Sequence, residues 1–600
     1  MIIKSISLLK KPFIVYDGNC FFCSRCVEFV KNRYPIPINS YPYQTFDETL
    51  FSSSYNFSKS VHVFLNNGIV LHSSKAVFFL LKNIYPILNP LFSLLRFRIV
   101  EWFFNYFYFF FATRRRHVST LLKSIYSENN FYLVVFFFRC FSLTLFFVFL
   151  TLFFEFPLLF SDSGMLSLSQ RISDLTFSLS KFNFFDLPTL FWFSTSHFFI
   201  RFLAGLGIIL SLCVFFFILP SFSFLIICLL FLSFIVVAFP FYPYQWDTLL
   251  LEISFLAIFL FPFKFSRFSQ HRFPPFSPMI FLFRLLLFRL FFFSGLSKLL
   301  SPDSSWRSLN ALDYHFFTQP IPHFFSIFPS FLPSFCLSFV CLIVLFIELV
   351  VPFFIFGNKK FKLIAFFLFN FLMFGISMTG NYGFFNFLVF NLTLFLLPPG
   401  FVRLLFDFKS FSKTKIQNFI KPSFKFFLIH ILIFVILFFS SIKLELSRFF
   451  SIEKPYISRI YLTNSYGLFS VMTKARYELI FQTSVDGIKW HTLDFYFKSD
   501  GSNDLSFKIP FYLPRLSWQL WFSSHKPFVD EKWLVNFVFR LLSKEVDHSH
   551  IFNNSGSLDD ILYLRVLRKP FFFKKNTFFQ GDFWEIGPAS VYFPPVSLIE

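Results

Sequence analysis

Three cysteines at three-residue spacing, Cys20, Cys23 and Cys26, follow Asp17 near the start of the chain. Two thiols in a C-x2-C pair can cycle between dithiol and disulfide. They do so most readily where a strand gives way to a helix, because the helix N-terminus stabilises thiolate. The run KPFIVYDGNCFFCSRCVEFV has that form: a β-rich stretch, a glycine turn, then a helix carrying the cysteines. Cys20, nearer the helix start, is the expected attacking thiol and Cys23 its partner. Cys26 is an extra thiol able to resolve a mixed disulfide. Two other readings stay open. One is a zinc site, which would need a fourth ligand such as His62 or His72 and has no second C-x2-C to draw on. The other is a motif kept for packing alone. Neither metal nor cofactor is expected.

A second group of residues lies in the stretch from Arg284 to Pro320. Arg284, Arg289 and Lys298 interrupt an apolar helical pattern, and the loop after it holds Asp303, Trp306, Asp313, Tyr314, His315 and Gln319. Cations inside an apolar span are costly and mark either function or a buried partner. Gln245, Trp246, Asp247 and Glu252, and later Asn381 and Tyr382, stand beside other apolar runs. No nucleophile–base–acid triad, H-E-x2-H or phosphate loop is present. His315 and His323 are too few for a metal site without a third ligand, so a hydrogen-bonded structural role is expected for His315. Asp247 and Glu252 do not share a helical face and read as structural ion partners rather than a catalytic pair.

The elements that must position these residues follow from composition. The chain has 600 residues, 56% of them hydrophobic, 116 phenylalanines and a net charge of +22. Apolar runs near 20 residues recur, which defines a multi-spanning membrane protein. Spans are expected at 132–156, 190–218, 221–239, 248–263, 279–299, 332–356, 362–378, 383–398 and 425–442, about nine in all. The basic excess sits mostly in short loops between spans, where cytoplasmic retention explains it better than nucleic acid does. No cysteine follows Cys341, so the tail is not a disulfide-stapled ectodomain. Residues 1–125 read as a small soluble α/β domain, 126–442 as a helical bundle and 443–600 as a β-rich soluble domain. In the last, Asp486-Gly487 splits ARYELIFQTSVDGIKWHTLDFYFK as a hairpin turn. PRLSWQLWF and YLRVLRKPFFF read as further strands, with a helix near 530–544.

Asp17-x2-Cys20-x2-Cys23, with Asn67-Gly68, Ser74-x-Ala76-Val77 and the Arg114-Arg115-Arg116 run, resembles the DCC family of thiol-disulfide oxidoreductases. The resemblance implies a thioredoxin-like fold, although no proline lies between Tyr43 and Tyr85 to face the cysteines as thioredoxin's cis-proline does. The run from Phe288 to Pro322 (FRL-x3-SG-x2-K-L-x3-D-x2-W, then D-Y-H-x2-TQP-x-P) resembles the signature of the lipase maturation factor family. So do Gln245-Trp246-Asp247 leading to Glu252, and Thr379-Gly380-Asn381-Tyr382. So also do N-x-YGLF-x-VMT from Asn464, Pro514-Arg515-Leu516 with Trp518-Gln519, and the closing W…Y-x-P segment from Trp584. This resemblance implies help in the maturation of secreted lipases or other exported proteins.

Cation-rich loops place the N-terminus in the cytoplasm and the C-terminal domain on the periplasmic or lumenal side. Arg114, Arg115, Arg116 and Lys123, then Lys264, Arg267 and Arg272, then Lys359, Lys360 and Lys362, and finally the run from Arg403 to Lys425 all fall on one side. Expected partners are the bilayer, an exported lipase or other client and a cytoplasmic thiol reductant, with no nucleic acid. A rival reading is a membrane enzyme resembling the vitamin-K-dependent carboxylase-like proteins, acting on lipid or quinone with Lys298 as base. A third is a scaffold whose thiol domain alone is catalytic. Depth counting pairs Glu252 with Arg289 or Lys298, and Glu348 with Arg284.

Overall fold

The computed structural model describes residues 12–31, 33–46, 57–86, 102, 104–106, 108–110, 112–115, 130–178, 187–261, 274–405, 424–448, 453–454, 460–495, 511–546, 551–552, 561–574 and 583–598. The described residues form two compact units: the N-terminal domain grouped with residues 274–277 and 424–431, and the rest of the bundle together with the C-terminal domain. Of the loop cations above, Arg116, Lys123, Lys264, Arg267, Arg272, Lys409, Lys413, Lys415 and Lys421 lie outside the described residues.

The N-terminal domain is a β-α-β unit followed by β-β-α. β1 (Phe13–Tyr16) leads into α1 (Phe21–Lys31), then β2 (Asn39–Pro42), β3 (His62–Phe64), β4 (Val70–His72) and α2 (Ser73–Ile84). The sheet order is β2-β1-β3-β4, with β1 parallel to β2 and antiparallel to β3. Alternate residues of β1 serve two cores. Ile14 packs with Val27, Val30, Ala76 and Leu80 of the helices. Phe13 and Val15 pack with Phe46, Phe57 and Phe64 on the other face. The short, fully buried central strand fixes where α1, and so the cysteines, begin.

The second unit contains α3 (Phe131–Leu159), α4 (Leu168–Ser178), α5 (His197–Phe215), α6 (Pro220–Val237), α7 (Gln245–Ile258), α8 (Ser277–Leu300), α9 (Ala311–Thr318), α10 (Ser334–Leu349), α11 (Lys359–Thr379), α12 (Phe385–Thr393), α13 (Pro399–Leu405) and α14 (Phe424–Leu446). Among the described residues, seven helical stretches are long and apolar enough to cross a membrane: α3, α5, α6, α8, α10 with the 3-10 turn Val351–Phe356, α11 and α14. The protein is a multi-pass integral membrane protein. The stretches read as spans at 248–263 and 383–398 form shorter helices: α7 has 14 residues, and α12 runs into the turn Leu394–Leu396. At 1.5 Å per residue α7 extends about 21 Å, less than the hydrocarbon core. Apolar content alone does not separate such a helix, buried on nearly all sides, from a lipid-facing span.

The C-terminal domain is a five-stranded antiparallel sheet with two helices. β5 (Arg476–Ser484) pairs β7 (Tyr563–Phe573) from Arg476↔Phe571 to Ser484↔Tyr563; β6 (His491–Thr492) flanks β5, while β8 (Trp584–Ile586) and β9 (Ser590–Val596) pair β7. The Asp486 carboxylate accepts the Ile488 and Lys489 amides at 2.8 Å, and Gly487 takes φ +71° as the turn requires. The expected helix near 530–544 is α16 (Lys532–Leu542). PRLSWQLWF is not a strand: α15 spans Arg515–Ser524, with Pro514 at its N-cap. Its buried Trp518, Gln519 and Leu520 do not alternate, and the aromatic residues that suggested β structure instead fill a helix–bundle contact.

Candidate functional site

In the N-terminal domain, Cys20 directly precedes α1, and the Cys23 amide donates to its Sγ at 3.2 Å. The Asp17 Oδ1 accepts the Asn19 amide at 3.1 Å and Gln44 Nε2 at 2.6 Å, which closes the turn ahead of the helix. Arg115 pairs with Asp17 Oδ2 at 3.3 Å and also donates to the Ser58 carbonyl. The Cys23 thiol is pushed well above the ordinary range by its hydrogen bond to Cys20 and then by burial. Burial, followed by the neighbouring Cys20, takes Cys26 up to about 12. Cys20 is the thiol at the N-terminus of α1, the end of a helix that favours thiolate. All eight cysteines carry free thiols, and among the described residues no cluster of three metal-ligating side chains occurs.

In the second unit the motif residues converge on an irregular segment at 464–472. This segment has neither helical nor strand pairing, so its buried backbone groups need side-chain partners. Four of its amides donate to bundle side chains: Asn464 to Glu252 Oε2 (2.9 Å), Gly467 to Gln245 Oε1 (3.1 Å), Leu468 to Ser294 Oγ (3.3 Å) and Met472 to Asp303 Oδ2 (2.7 Å). Its carbonyls accept in return. Arg289 reaches the Asn464 carbonyl, Arg448 that of Tyr466 (2.8 Å), Lys298 that of Leu468 (3.0 Å) and Trp306 Nε1 that of Phe469 (2.8 Å). The polar motif side chains of the membrane region thus dock one stretch of backbone.

The charges also pair among themselves. Arg289 donates to Glu252 at 2.8 Å and to Glu445 at 3.0 Å, and Tyr466 adds its hydroxyl to Glu252 at 2.8 Å. Lys298 bonds both Glu348 oxygens, at 2.9 and 2.7 Å. Of the two partners expected for Glu252, Arg289 is the one present. The expected pairing of Glu348 with Arg284 does not form; Arg284 donates to the Phe395 carbonyl at 2.9 Å.

The reason is an axial offset. The first half of α10 lies past the end of α8, packed on Trp306, Ala311, Leu312 and Met472. Gly295 then admits close approach, since a Cβ there would meet Glu348 Cβ at 2.9 Å. Below Glu348 the chain continues as a 3-10 turn, which rises about 2.0 Å per residue, so few residues cover the remaining depth. Phe353 there meets Phe288 and Phe292, and Phe356 meets Phe281.

Two further contacts join bundle and C-terminal domain. Arg515 forms a two-pronged pair with Asp247 at 2.7 and 2.6 Å, its guanidinium lies 3.8 Å over the Tyr242 ring, and its amide donates to Glu155 at 2.8 Å. Asp247 also accepts the Tyr244 amide at 2.8 Å, so one carboxylate both caps α7 and holds the domain. Trp246 packs edge-on against Trp518 at 5.0 Å. Arg476 donates to the carbonyls of Phe317, Gln319 and Pro320 and pairs with Glu478.

Gln319 is held in turn. Its Nε2 donates to the Thr379 carbonyl at 2.6 Å, and the Tyr382 hydroxyl donates to its Oε1 at 3.1 Å while standing 3.3 Å from His315 Nε2. Asn381 turns its side chain back onto the Gly383 amide at 3.2 Å. Among the described residues, Asp313 and Tyr314 on α9 make no side-chain hydrogen bond to segment 464–472; the Tyr314 carbonyl accepts from Thr318. The sequence reading left Glu155, Glu445, Arg476 and Tyr466 off its list of candidates. Glu445 and Glu155 were legible as carboxylates at the ends of apolar runs.

His315 is neutral at pH 7. Burial, and then the Lys298 charge, push its pKa down to about 4. An unfolded chain takes up the proton near pH 6.5, so it binds more protons than the folded chain between about pH 6.5 and pH 4, and stability is lost as the pH is lowered through that window. Thermal unfolding in detergent is expected to show this slope, and His315→Gln to flatten part of it. A slope unchanged by the substitution would contradict the assignment.

Residues 133–404 match the family described as lipase maturation factor transmembrane domain, 462–594 match the lipase maturation factor C-terminal domain, and 14–121 match DCC1-like thiol-disulfide oxidoreductase. The chain is 26% identical over 401 residues to lipase maturation factor 1 of Homo sapiens, covering 62% of this chain and 70% of that protein. To lipase maturation factor 2 of Xenopus laevis it is 26% identical over 533 residues, covering 69% and 75%. No solved structure matches it. The docking network joins the two matched regions, and the chain is similar to the lipase maturation factors across its bundle and C-terminal domain and to DCC1-like thiol-disulfide oxidoreductases at residues 14–121.

Proposed function

We propose that this protein is a membrane-embedded maturation factor for exported proteins, lipases among them, with a thiol-disulfide oxidoreductase domain in the cytoplasm. Its C-terminal domain and the loop 301–323 form the client-facing side, in the periplasm or lumen. The observation that carries this reading is the docking of segment 464–472. Among the described residues, the buried charges Glu252, Arg289, Asp303 and Lys298 are engaged in holding this segment in place. Lys298 shows why the membrane-enzyme reading is weaker: its ammonium donates to Glu348 twice and to the Leu468 carbonyl, a donor's arrangement rather than a base's. The relatives named lipase maturation factor supply the client class.

Cells lacking the protein are expected to secrete less active lipase per unit of lipase protein, with recovery on re-expression. Unchanged specific activity of every exported hydrolase would remove the maturation role.

Orientation is tested separately. A membrane-impermeant maleimide should label Ser308→Cys and Ser590→Cys, both at exposed positions, in intact cells or spheroplasts and leave Cys20 unlabelled until lysis. The reverse pattern would place the docked domain in the cytoplasm.

Cys20 and Cys23 are expected to form a reversible disulfide with Cys20 as attacking thiol. Differential alkylation across redox buffers reads it by mass spectrometry. Stoichiometric zinc with no disulfide at any potential would defeat it.

A further inference from the structure

A cavity of about 460 Å³ lies inside the N-terminal domain, walled by β1, α1, α2 and the segment carrying Tyr108 and Arg115. Its lining is almost wholly apolar, Ile14, Val27, Val30 and Leu80 among it, and both Cys23 and Cys26 are part of the wall. Asp17 lies at the same wall; Cys20 is not itself a lining residue, but its sulfur accepts the amide of Cys23, which is, at 3.2 Å.

The size is that of a small-molecule site, and a space lined this way does not hold ordered water. Among the described residues the one cation in the wall is Arg115, which is engaged by Asp17 and the Ser58 carbonyl rather than free for an anionic ligand. The Tyr108 hydroxyl accepts the Val61 amide at 2.9 Å, which leaves its proton to donate. The wall therefore offers apolar surface, thiols and a hydroxyl donor. A charged, strongly hydrated thiol such as glutathione would lose its hydration there without compensation.

We propose that this cavity is the substrate pocket of the thiol site and that it takes an uncharged, apolar organic disulfide. The proposal rests on the oxidoreductase reading given above. The Cys20 thiolate attacks one substrate sulfur, a protein–substrate S–S bond forms and the substrate S–S bond breaks. One half leaves as thiolate and takes a proton from water. Cys23, deprotonated to solvent, then displaces the second half, leaving a Cys20–Cys23 disulfide and two substrate thiols. Two electrons pass from the protein pair to the substrate.

The test uses reduced full-length protein in detergent with two chromogenic disulfides, neutral 4,4′-dithiodipyridine and dianionic 5,5′-dithiobis(2-nitrobenzoate). Each rate is normalised to the same reagent's rate with free cysteine, and a Cys20→Ser/Cys23→Ser double variant supplies the background from the other thiols. The neutral reagent is expected to be favoured by about tenfold or more, the scale set by burying one aromatic ring. Sulfur-free 4-phenylpyridine should slow it competitively, and Leu81→Trp, which fills the pocket with apolar bulk, should erase the preference. Equal normalised rates, or no competition by 4-phenylpyridine, would overturn the pocket while leaving the oxidoreductase reading intact. Reaction with neither reagent above background would overturn both. The competition arm does not depend on the variant folding.

Discussion

Arg515→Met is expected to destabilise the protein by about 3–5 kcal/mol, the cost of leaving one member of a buried ion pair without its partner. Asp247 is fully buried, at 0% exposure, and two of the guanidinium nitrogens reach its two oxygens. Methionine keeps much of the stem packing beside the Tyr242, Tyr244 and Phe384 rings that surround the guanidinium but leaves the buried Asp247 carboxylate with only the Tyr244 amide. Arg515 itself stays charged, because the Asp247 carboxylate offsets its burial and holds its pKa above the ordinary value. The double variant Asp247→Asn/Arg515→Met should lose clearly less than the two single losses added together. Thermal or denaturant unfolding in detergent reads the difference. Strict additivity would mean the two groups do not interact in the folded protein.

Arg289→Gln is expected to be comparably damaging, because it leaves Glu252 without a counter-charge, Glu445 with Arg448 alone and the Asn464 carbonyl without its donor. Arg289 is 3% exposed and joins Glu252, Glu445 and Asn464. Glu252 would keep the Asn464 amide and the Tyr466 hydroxyl, so its charge would retain hydrogen bonds but no counter-charge. A loss of about 3–5 kcal/mol follows from the buried-pair rule. Adding Glu252→Gln should restore part of it, since the amide removes the unpaired charge while Glu445 keeps Arg448. Glu348→Gln serves as the internal comparison: it should couple to Lys298→Met and add independently to Arg284→Gln. Coupling of Glu348 to Arg284 instead would contradict the axial offset of α10 against α8.

Much of this network was legible because it breaks the rules of its surroundings. Arg289, Lys298 and Glu252 stand out as charges in apolar runs, and depth counting narrowed the partner of Glu252 to Arg289 or Lys298, of which the structure has Arg289. The hairpin at Asp486-Gly487 and the strand at 563–573 were readable from turn chemistry and alternation. Counting failed for Glu348 because it assumed regular α-helices with level ends. The 3-10 turn Val351–Phe356 and the contact at Gly295 shift the register, and neither has a periodic signature. α15 was misread because Trp518, Trp521 and Phe522 favour strands in isolation, whereas here they pack a helix against Tyr244 and Trp246. The receiving segment was visible only as a motif. That its backbone is the object being bound could not be read from N-x-YGLF, because backbone groups leave no trace in side-chain identity.

The most direct measurement of the docking network is hydrogen exchange at the amides of Asn464, Gly467, Leu468 and Met472, each bonded to a different bundle side chain. In the wild-type protein these amides should be protected although they belong to no helix or strand. In Arg289→Gln they should exchange much faster, while α3 and α6 keep their protection. Exchange that is fast already in the wild type, or unchanged by Arg289→Gln, would contradict the claim that the motif charges hold the C-terminal domain on the bundle.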